Sequence, residues 1–378
     1  MEAPYSRIPA LPAALGLAAG IAASAAGAAV WCMVGCAVSA VALWLWRPAR
    51  FFAAAPAAAL LGIALASAAP AVANGAPSAP AVRSAIVRTV YASPLSGEAA
   101  AFVATTFVAD SGMLPQALRD DFRGSGIAHL LALSGFHVGI VAMIALWLTR
   151  PMLVAGRAAR LRGAVVLAAV WGFAALGGMS ASVVRASVML TLLMCARLAG
   201  RASSPLNALA VAAIVILSWR PAELFGAGFQ LSFMAVIGIL AFANVLNPFR
   251  PDAHPRLHRI AAAMAVPVGA TLATLPVVAA TFGTVPLMFL PANVIAGILF
   301  VPFYVLALAM LLLAGAGLPC GLLAAAVDAI YAVMAAAARL MYAPVELSLY
   351  PAALVALYIA IALLWVYLYR KKAREQAY

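Results

Sequence analysis

The sequence predicts an all-α polytopic membrane protein with about twelve transmembrane helices and cytoplasmic N- and C-termini. Three observations predict it. First, 67% of the 378 residues are hydrophobic and 9% are charged, with a mean hydropathy of +1.10; a soluble domain carries about a quarter charged residues. No water-soluble core hides that much apolar surface, so a soluble enzyme, a secreted scaffold and a disordered chain are all excluded. Second, the apolar residues fall in runs near the roughly 20 residues that cross a ~30 Å hydrocarbon core. Third, the charges lie where the positive-inside rule puts them. With all twelve segments crossing, sixteen of the 23 basic and three of the ten acidic residues fall inside, five basic and six acidic fall outside, and Arg185, Asp328 and Arg339 stay within spans. The net charge of +13 is thus accounted for by insertion and is not evidence of a nucleic-acid patch.

The candidate spans run near 9–27, 29–46, 51–69, 129–149, 163–179, 182–199, 205–219, 225–246, 259–280, 288–314, 318–342 and 351–369. The first two abut at Gly27 as a tight helical hairpin, and with the third they form an N-terminal membrane segment, 1–69. Only Arg7 marks a positive n-region and two more spans follow at once, so the first run is expected as a retained helix rather than a signal peptide. Residues 70–128 form the one long extracytoplasmic piece. Here 70–82 read as a linker with a turn at Asn74-Gly75, and 83–92 as a short strand. Amphipathic helices are expected over 96–110 and 115–123, the second opened by Pro115 in its first turn. Leu114, Leu118 and Phe122 line one face of that helix, which lies flat on the membrane or caps the bundle. Residues 129–378 complete the membrane domain and end on a basic cytoplasmic tail. Pro291 and Pro302 suggest a broken tenth span. Cys32, Cys36, Cys195 and Cys320 sit in apolar runs without a CxxC spacing and read as packing residues.

Polar side chains inside spans are costly and are functional hypotheses by default. The densest group is His129-Leu-Leu-Ala-Leu-Ser134-Gly135-Phe-His137-Val-Gly139, at the outer mouth of the fourth span. Gly135 and Gly139 make a GxxxG pair suited to close helix approach, and Ser134 and His137 share a helical face. Helix packing with a hydrogen-bonded histidine is the plainer alternative to a functional role. A Ser134–His137 hydrolytic pair would need an orienting carboxylate and an oxyanion hole; Asp110, Asp120 and Asp121 lie nearby in sequence without fixed geometry. No zinc site is expected: His254 and His258 belong to a cytoplasmic loop, and there is no HExxH. Further polar interruptions are Arg185, Asn207, Gln230, Ser232, Asn293 and Asp328. A buried arginine costs about 2.5–3.5 kcal/mol on insertion scales, so Arg185 either snorkels or meets a partner or water. Together these residues are candidates for a hydrated path through the bilayer. No phosphate-cradling Gly-rich loop is present, so no internal motor, cofactor or metal is expected.

Several stretches resemble the ComEC/Rec2 competence membrane domain: His129 to Gly139 as quoted; Pro115-x-x-Leu-Arg-x-x-Phe-x-x-Ser-Gly126; Arg185-Ala-Ser-Val-Met189; Arg197-Leu-Ala-Gly-Arg-x-x-Ser-Pro-Leu-Asn207; Trp219-Arg-Pro-x-x-Leu-Phe-x-x-Gly-Phe-Gln230-Leu-Ser232; and Thr274-Leu-Pro through Asn293. The resemblance covers roughly 96–312, with Leu133 and Phe136 where relatives carry Ile and Leu. It implies an inner-membrane channel that takes one strand of transforming DNA into the cytoplasm, with His129, Ser134, His137, Arg185 and Gln230 shaping the path and its gate. Relatives also carry an OB-like domain and a metallo-β-lactamase-like domain. Residues 70–95 are too short for a five-stranded barrel, and the chain stops after Arg370-Lys-Lys. The resemblance therefore implies that a separate DNA receptor, a nuclease and a cytoplasmic ATP-dependent motor supply the other steps, beside membrane lipid and a second copy of the chain as partners. A transporter of the same fold for a smaller solute is the alternative. No catalytic residue is assigned.

Overall fold

The computed structural model describes residues 10–25, 80–154, 158–198, 204–243, 245–249, 254–347 and 351–375. Among them thirteen α-helices and one two-stranded ribbon form. Helices stand at ten of the twelve expected span positions; segments 29–46 and 51–69, and the Asn74-Gly75 turn, lie outside the described residues. Five helices are long and apolar enough to cross a membrane by length and composition: α7 (Ala181–Leu198), α10 (Pro255–Phe282), α11 (Phe289–Gly315), α12 (Gly321–Leu340) and α13 (Pro351–Glu375, over Ala353–Lys372). The shorter helices at expected span positions are α1 (Leu11–Ala25), α5 (Gly135–Leu148), α6 (Ala158–Leu176), α8 (Pro205–Trp219) and α9 (Ala227–Phe242).

The chain divides into two compact units. In the first, α8 packs against α7 and α1. Ser204 caps α8 by accepting Asn207 N–H at 3.4 Å, and Pro205 occupies the first turn, where its missing N–H costs nothing. Trp171 Nε1 donates to Thr191 Oγ1 at 3.1 Å, joining α6 to α7.

The second unit is built on a helix that sequence patterning mistakes. Over 83–92, where a strand is expected, and from the end of the expected linker at Pro80, the chain forms α2 (Pro80–Ala92). It folds back on α3 (Gly97–Val108), and Arg83 Nη2 donates to Ala109 O at 3.3 Å. Propensity is a weak prior; here Pro80 opens a helix, and packing on α3 and α11 decides the outcome. Nor is α3 amphipathic: every residue from Ala99 to Val108 is buried. At ~1.5 Å per residue, α2 and α3 span only about 20 and 18 Å, too short to cross a bilayer. Phe102, fully buried, sets the core, with ring centroids 5.5 Å from Phe122, 5.2 Å from Phe303 and 5.4 Å from Tyr331.

Around this hairpin, α4 (Gln116–Gly124) seals the unit. Leu114, Leu118 and Phe122 are buried as the pattern predicts, and the helix packs on α12 and on β1 (Thr284–Pro286), the partner of β2 (Pro344–Glu346), which is the capping alternative. Pro115 stands at its N-cap, one position before the expected first turn. The ribbon pairs Thr284↔Glu346, Val285↔Val345 and Pro286↔Pro344 antiparallel, fastening the start of α11 to the end of α12. The expected break in the tenth span is absent. Pro291 falls in the first turn of α11 and Pro302 is absorbed inside a continuous 27-residue helix; long apolar neighbours tolerate such a proline.

The expected GxxxG approach at Gly135 and Gly139 is also not found: nothing would obstruct a side chain at Gly139. The close approach is between Gly238 of α9 and Gly269 of α10. A methyl group on Gly269 would sit 2.8 Å from Gly238 O, and one on Gly238 would collide with the Gly269 backbone. Small residues let helix backbones touch where lipid supplies no hydrophobic drive. Overpacking such a contact costs about 1–3 kcal/mol. Gly238→Val therefore lowers the thermal midpoint of the detergent-solubilised protein, whereas Gly297→Val, facing open space, leaves it within error.

Candidate functional site

The fourth expected span begins late. Residues Ala128–Leu130 form a single 3₁₀ turn, and α5 starts only at Gly135. Ser134 is therefore not on the helix but at its start, where Oγ accepts Phe136 N–H at 3.3 Å, an N-cap bond. Ser134 Oγ lies 3.0 Å from His137 Nδ1, and Ser134 N–H donates to the same nitrogen at 3.3 Å. A backbone N–H can only donate, so Nδ1 is an acceptor and the neutral ring carries its proton on Nε2. His137 is completely buried. Its ring meets Phe300 edge-on at 5.0 Å and Tyr304 at 5.6 Å. His137 Nε2 and Tyr304 Oη are both buried without a hydrogen-bond partner among the described residues. Tyr304, stacked on Phe107 at 4.1 Å, has no sequence signal: it is one aromatic in a long apolar run.

Immediately before this turn, Gly126 adopts φ +88°, and a side chain there would press on Phe289 Cβ at 2.8 Å; only glycine fits both the dihedral and the space. The Gly126 carbonyl accepts Asn293 Nδ2 at 3.3 Å, and Asn293 also donates to Phe289 O at 2.7 Å. His129 stands in the 3₁₀ turn three residues after Gly126. Four predicted residues, His129, Ser134, His137 and Asn293, thus belong to one locked connection between α4, α5 and the start of α11, with Gly135 as the first residue of α5.

Hydrolytic geometry is not assembled here. The second ring nitrogen of His137 faces apolar rings, and the nearby carboxylates are engaged elsewhere: Asp110 accepts Gly112 N–H, Asp120 accepts Gln116 Nε2, and Asp121 pairs with Arg339. No group of three or more histidines, cysteines or carboxylates able to hold a metal occurs among the described residues.

Asp328 sits elsewhere, at the tip of the α2–α3 hairpin. Its carboxylate accepts Ser96 N–H at 3.1 and 3.2 Å and Ser96 Oγ at 2.9 Å. Ser96 in turn caps α3 through Ala99 N–H, and Glu98 lies in the first turn of α3. A carboxylate at a helix N-terminus is stabilised by the unpaired N–H groups and the dipole. Beside it, Tyr331 donates to Glu98 at 3.0 Å, and Arg339 bridges Glu98 at 3.9 Å and Asp121 at 3.3 Å. The side chains of Arg339 and Glu98 are 58% and 51% exposed, so this polar seam opens onto the surface of the unit. Sequence reading singled out Asp328 but not its partners, because Ser96 lies 232 residues away.

In the first unit Asn207 Oδ1 accepts Ala10 N–H at 2.9 Å, capping the start of α1, and Gln230 Nε2 donates to Leu224 O at 3.0 Å. Arg185 is 7% exposed, so it does not snorkel to the surface of its unit. Ser232 is half-buried on α9.

These features describe an all-helical membrane protein with five membrane-capable helices among the described residues, in which several polar residues lock connections and others form one open seam. A model of the Competence protein family matches residues 107–372. The chain belongs to that family, as the motifs from Pro115 to Asn293 indicate. It is also 28% identical over 185 residues to ComE operon protein 3 of Bacillus subtilis (strain 168); the match takes in 47% of this chain and 21% of that protein. No solved structure matches.

Replacing Asp328 by Ala releases Ser96, the N-cap of α3, by removing the acceptor of its N–H and hydroxyl, and lowers stability by about 0.5–1.5 kcal/mol. Because Ser96 is both held by Asp328 and itself the acceptor for Ala99 N–H, the S96A/D328A double variant melts below D328A but loses less than the sum of the two single variants, which thermal melts of the three purified proteins measure.

Proposed function

We propose that this chain is the inner-membrane channel subunit through which one strand of transforming DNA enters the cell during natural competence. Membership of the Competence protein family across residues 107–372 carries the reading. Two structural features support it. The half-length α2–α3 hairpin packs against α11 and α12, and broken or half-length helices beside full spans are how membrane proteins build passages. The seam of Ser96, Glu98, Asp328, Tyr331, Arg339 and Asp121 gives ionisable groups a wet setting along α12, where lipid would be prohibitive.

In this proposal the protein positions the strand and does no covalent chemistry. His137 and Ser134 hold the entrance of α5, and Arg185 offers the translocating polyanion a cation. Capture of duplex DNA, degradation of the other strand and ATP-driven pulling fall to a separate receptor, nuclease and cytoplasmic motor, and a second copy of the chain completes the partners.

Deleting the gene in a naturally transformable host abolishes transformants and the nuclease-protected pool of labelled DNA, and the intact gene restores both. Undiminished DNA uptake in the deletion strain would assign the fold to a smaller solute instead. Ser134→Ala separates gating from hydrolysis. Uptake persists with a weakened α5 cap, whereas a hydrolase built on Ser134 would lose about 10⁴-fold or more in turnover.

A further inference from the structure

One end of the second unit gathers basic residues from two helices. The ribbon ties together the C-terminal end of α10, which precedes β1, and the N-terminal end of α13, which follows β2. The N-terminus of α10 and the C-terminus of α13 therefore meet at the opposite end. Asn247 joins them: its Nδ2 donates to His258 O at 3.0 Å, and its carbonyl accepts Lys372 Nζ at 3.0 Å. His258 Nδ1 bonds Phe249 O at 2.8 Å, and Trp365 Nε1 donates to Ala241 O at 2.9 Å, so the α9–α10 connection and the α13 tail are pinned to one another. Around this buried amide, Arg256, Arg259, Arg370 and Lys371 are exposed. No side chain of the first two turns of α10 is acidic, and α13 ends on Glu375.

We propose that this end binds an anionic phospholipid headgroup, with Arg256 and Arg259 on one side and Arg370 and Lys371 on the other. Three observations favour lipid over nucleic acid. None of the 20-residue window Ala353–Lys372 is buried by the rest of the chain, so α13 presents its surface outward, as a lipid-facing helix does. Tyr367 and Tyr369, 64% and 55% exposed, lie within the turn that leads into Arg370 and Lys371, and aromatic residues followed at once by basic ones mark the headgroup level. A strand threading the chain would meet a passage inside it rather than the perimeter of an outward-facing helix. Clusters of four or more basic residues directly next to a membrane helix recognise anionic headgroups. The inference is independent of the transported solute. It also exceeds the positive-inside rule, because a topogenic charge need not be held in a fixed array around Asn247.

The full-length protein, purified in mild detergent and given an equimolar mixture of phosphatidylglycerol and phosphatidylcholine, is expected to retain phosphatidylglycerol preferentially by native mass spectrometry. R259Q and R370Q are each expected to lower that retention about fivefold, while R88Q, exposed on α2, leaves it unchanged. Because basic residues also direct insertion, a second measurement uses only the wild-type chain: its melting temperature in nanodiscs rises when phosphatidylglycerol replaces phosphatidylcholine, and the rise fades in high salt. Equal retention of the two lipids, retention unaffected by R259Q and R370Q, or no salt-sensitive shift would overturn the proposal. A short single-stranded oligonucleotide that displaces phosphatidylglycerol and loses binding with the same substitutions would overturn it in favour of a nucleic-acid surface.

Discussion

Lipid offers no hydrogen bonds, and that absence governs α3. A helix of 12 residues with ten of them buried must find partners inside the protein for its first N–H groups, or each costs several kcal/mol. Ser96 Oγ accepts Ala99 N–H, Asp328 from α12 holds that cap residue by accepting its N–H and hydroxyl, and Ala109 closes the far end in the left-handed conformation, returning its N–H to Ala104 and Thr105. With both ends satisfied, α3 serves as the post against which α2, α11, α12 and α4 pack. Phe102 is the residue those neighbours share. The buried helix, its capping carboxylate and the aromatic cluster form one interdependent unit, and Asp328 is best understood as the anchor of that post.

The same economy explains the stretch from Pro115 to Gly139. In sequence it reads as a soluble helix followed by a polar helix mouth. In the structure it is one continuous connection: α4 seats Leu118 and Phe122, Gly126 turns where no side chain fits, Asn293 holds its carbonyl, and Ser134 caps α5 while orienting His137. Asn293 and Ser134 satisfy the backbone there, and Ser134 fixes a ring. His137 Nε2 and Tyr304 Oη are the exceptions, two buried groups side by side without partners among the described residues. Ser134 caps α5 and orients the His137 ring in one arrangement.

Helix positions from 129 onward were legible because apolar runs of 15–28 residues and flanking prolines and glycines leave little choice. The α4 face was legible for the same reason, through its i, i+4, i+8 spacing. Three things were not. The 80–108 hairpin was misread because β-branched residues imitate a strand and because small residues such as Ala99, Ala100 and Ala101 carry no facial contrast. The Gly238–Gly269 contact was missed because its halves lie on different helices, whereas the GxxxG at Gly135 and Gly139 announced itself and packs against nothing at Gly139. The partners of Asp328 and Asn207, 232 and 197 residues away, follow from tertiary folding alone. Sequence therefore located polar residues well and their roles poorly.

The delayed start of α5 ties these strands together. Its 14 residues reach about 21 Å at 1.5 Å per residue, short of the ~30 Å core, and the missing length lies in the 3₁₀ and irregular backbone from Ala128 to Ser134. Unwound backbone at that depth survives only where it is buried in protein or borders water. Gly126, Ser134 and Asn293 supply the protein part of that requirement; Tyr304 and His137 Nε2 are left for the rest. A straight 20-residue helix at this position would have needed none of these side chains. Concentrating histidine, serine and asparagine there follows from keeping the entrance of α5 unwound.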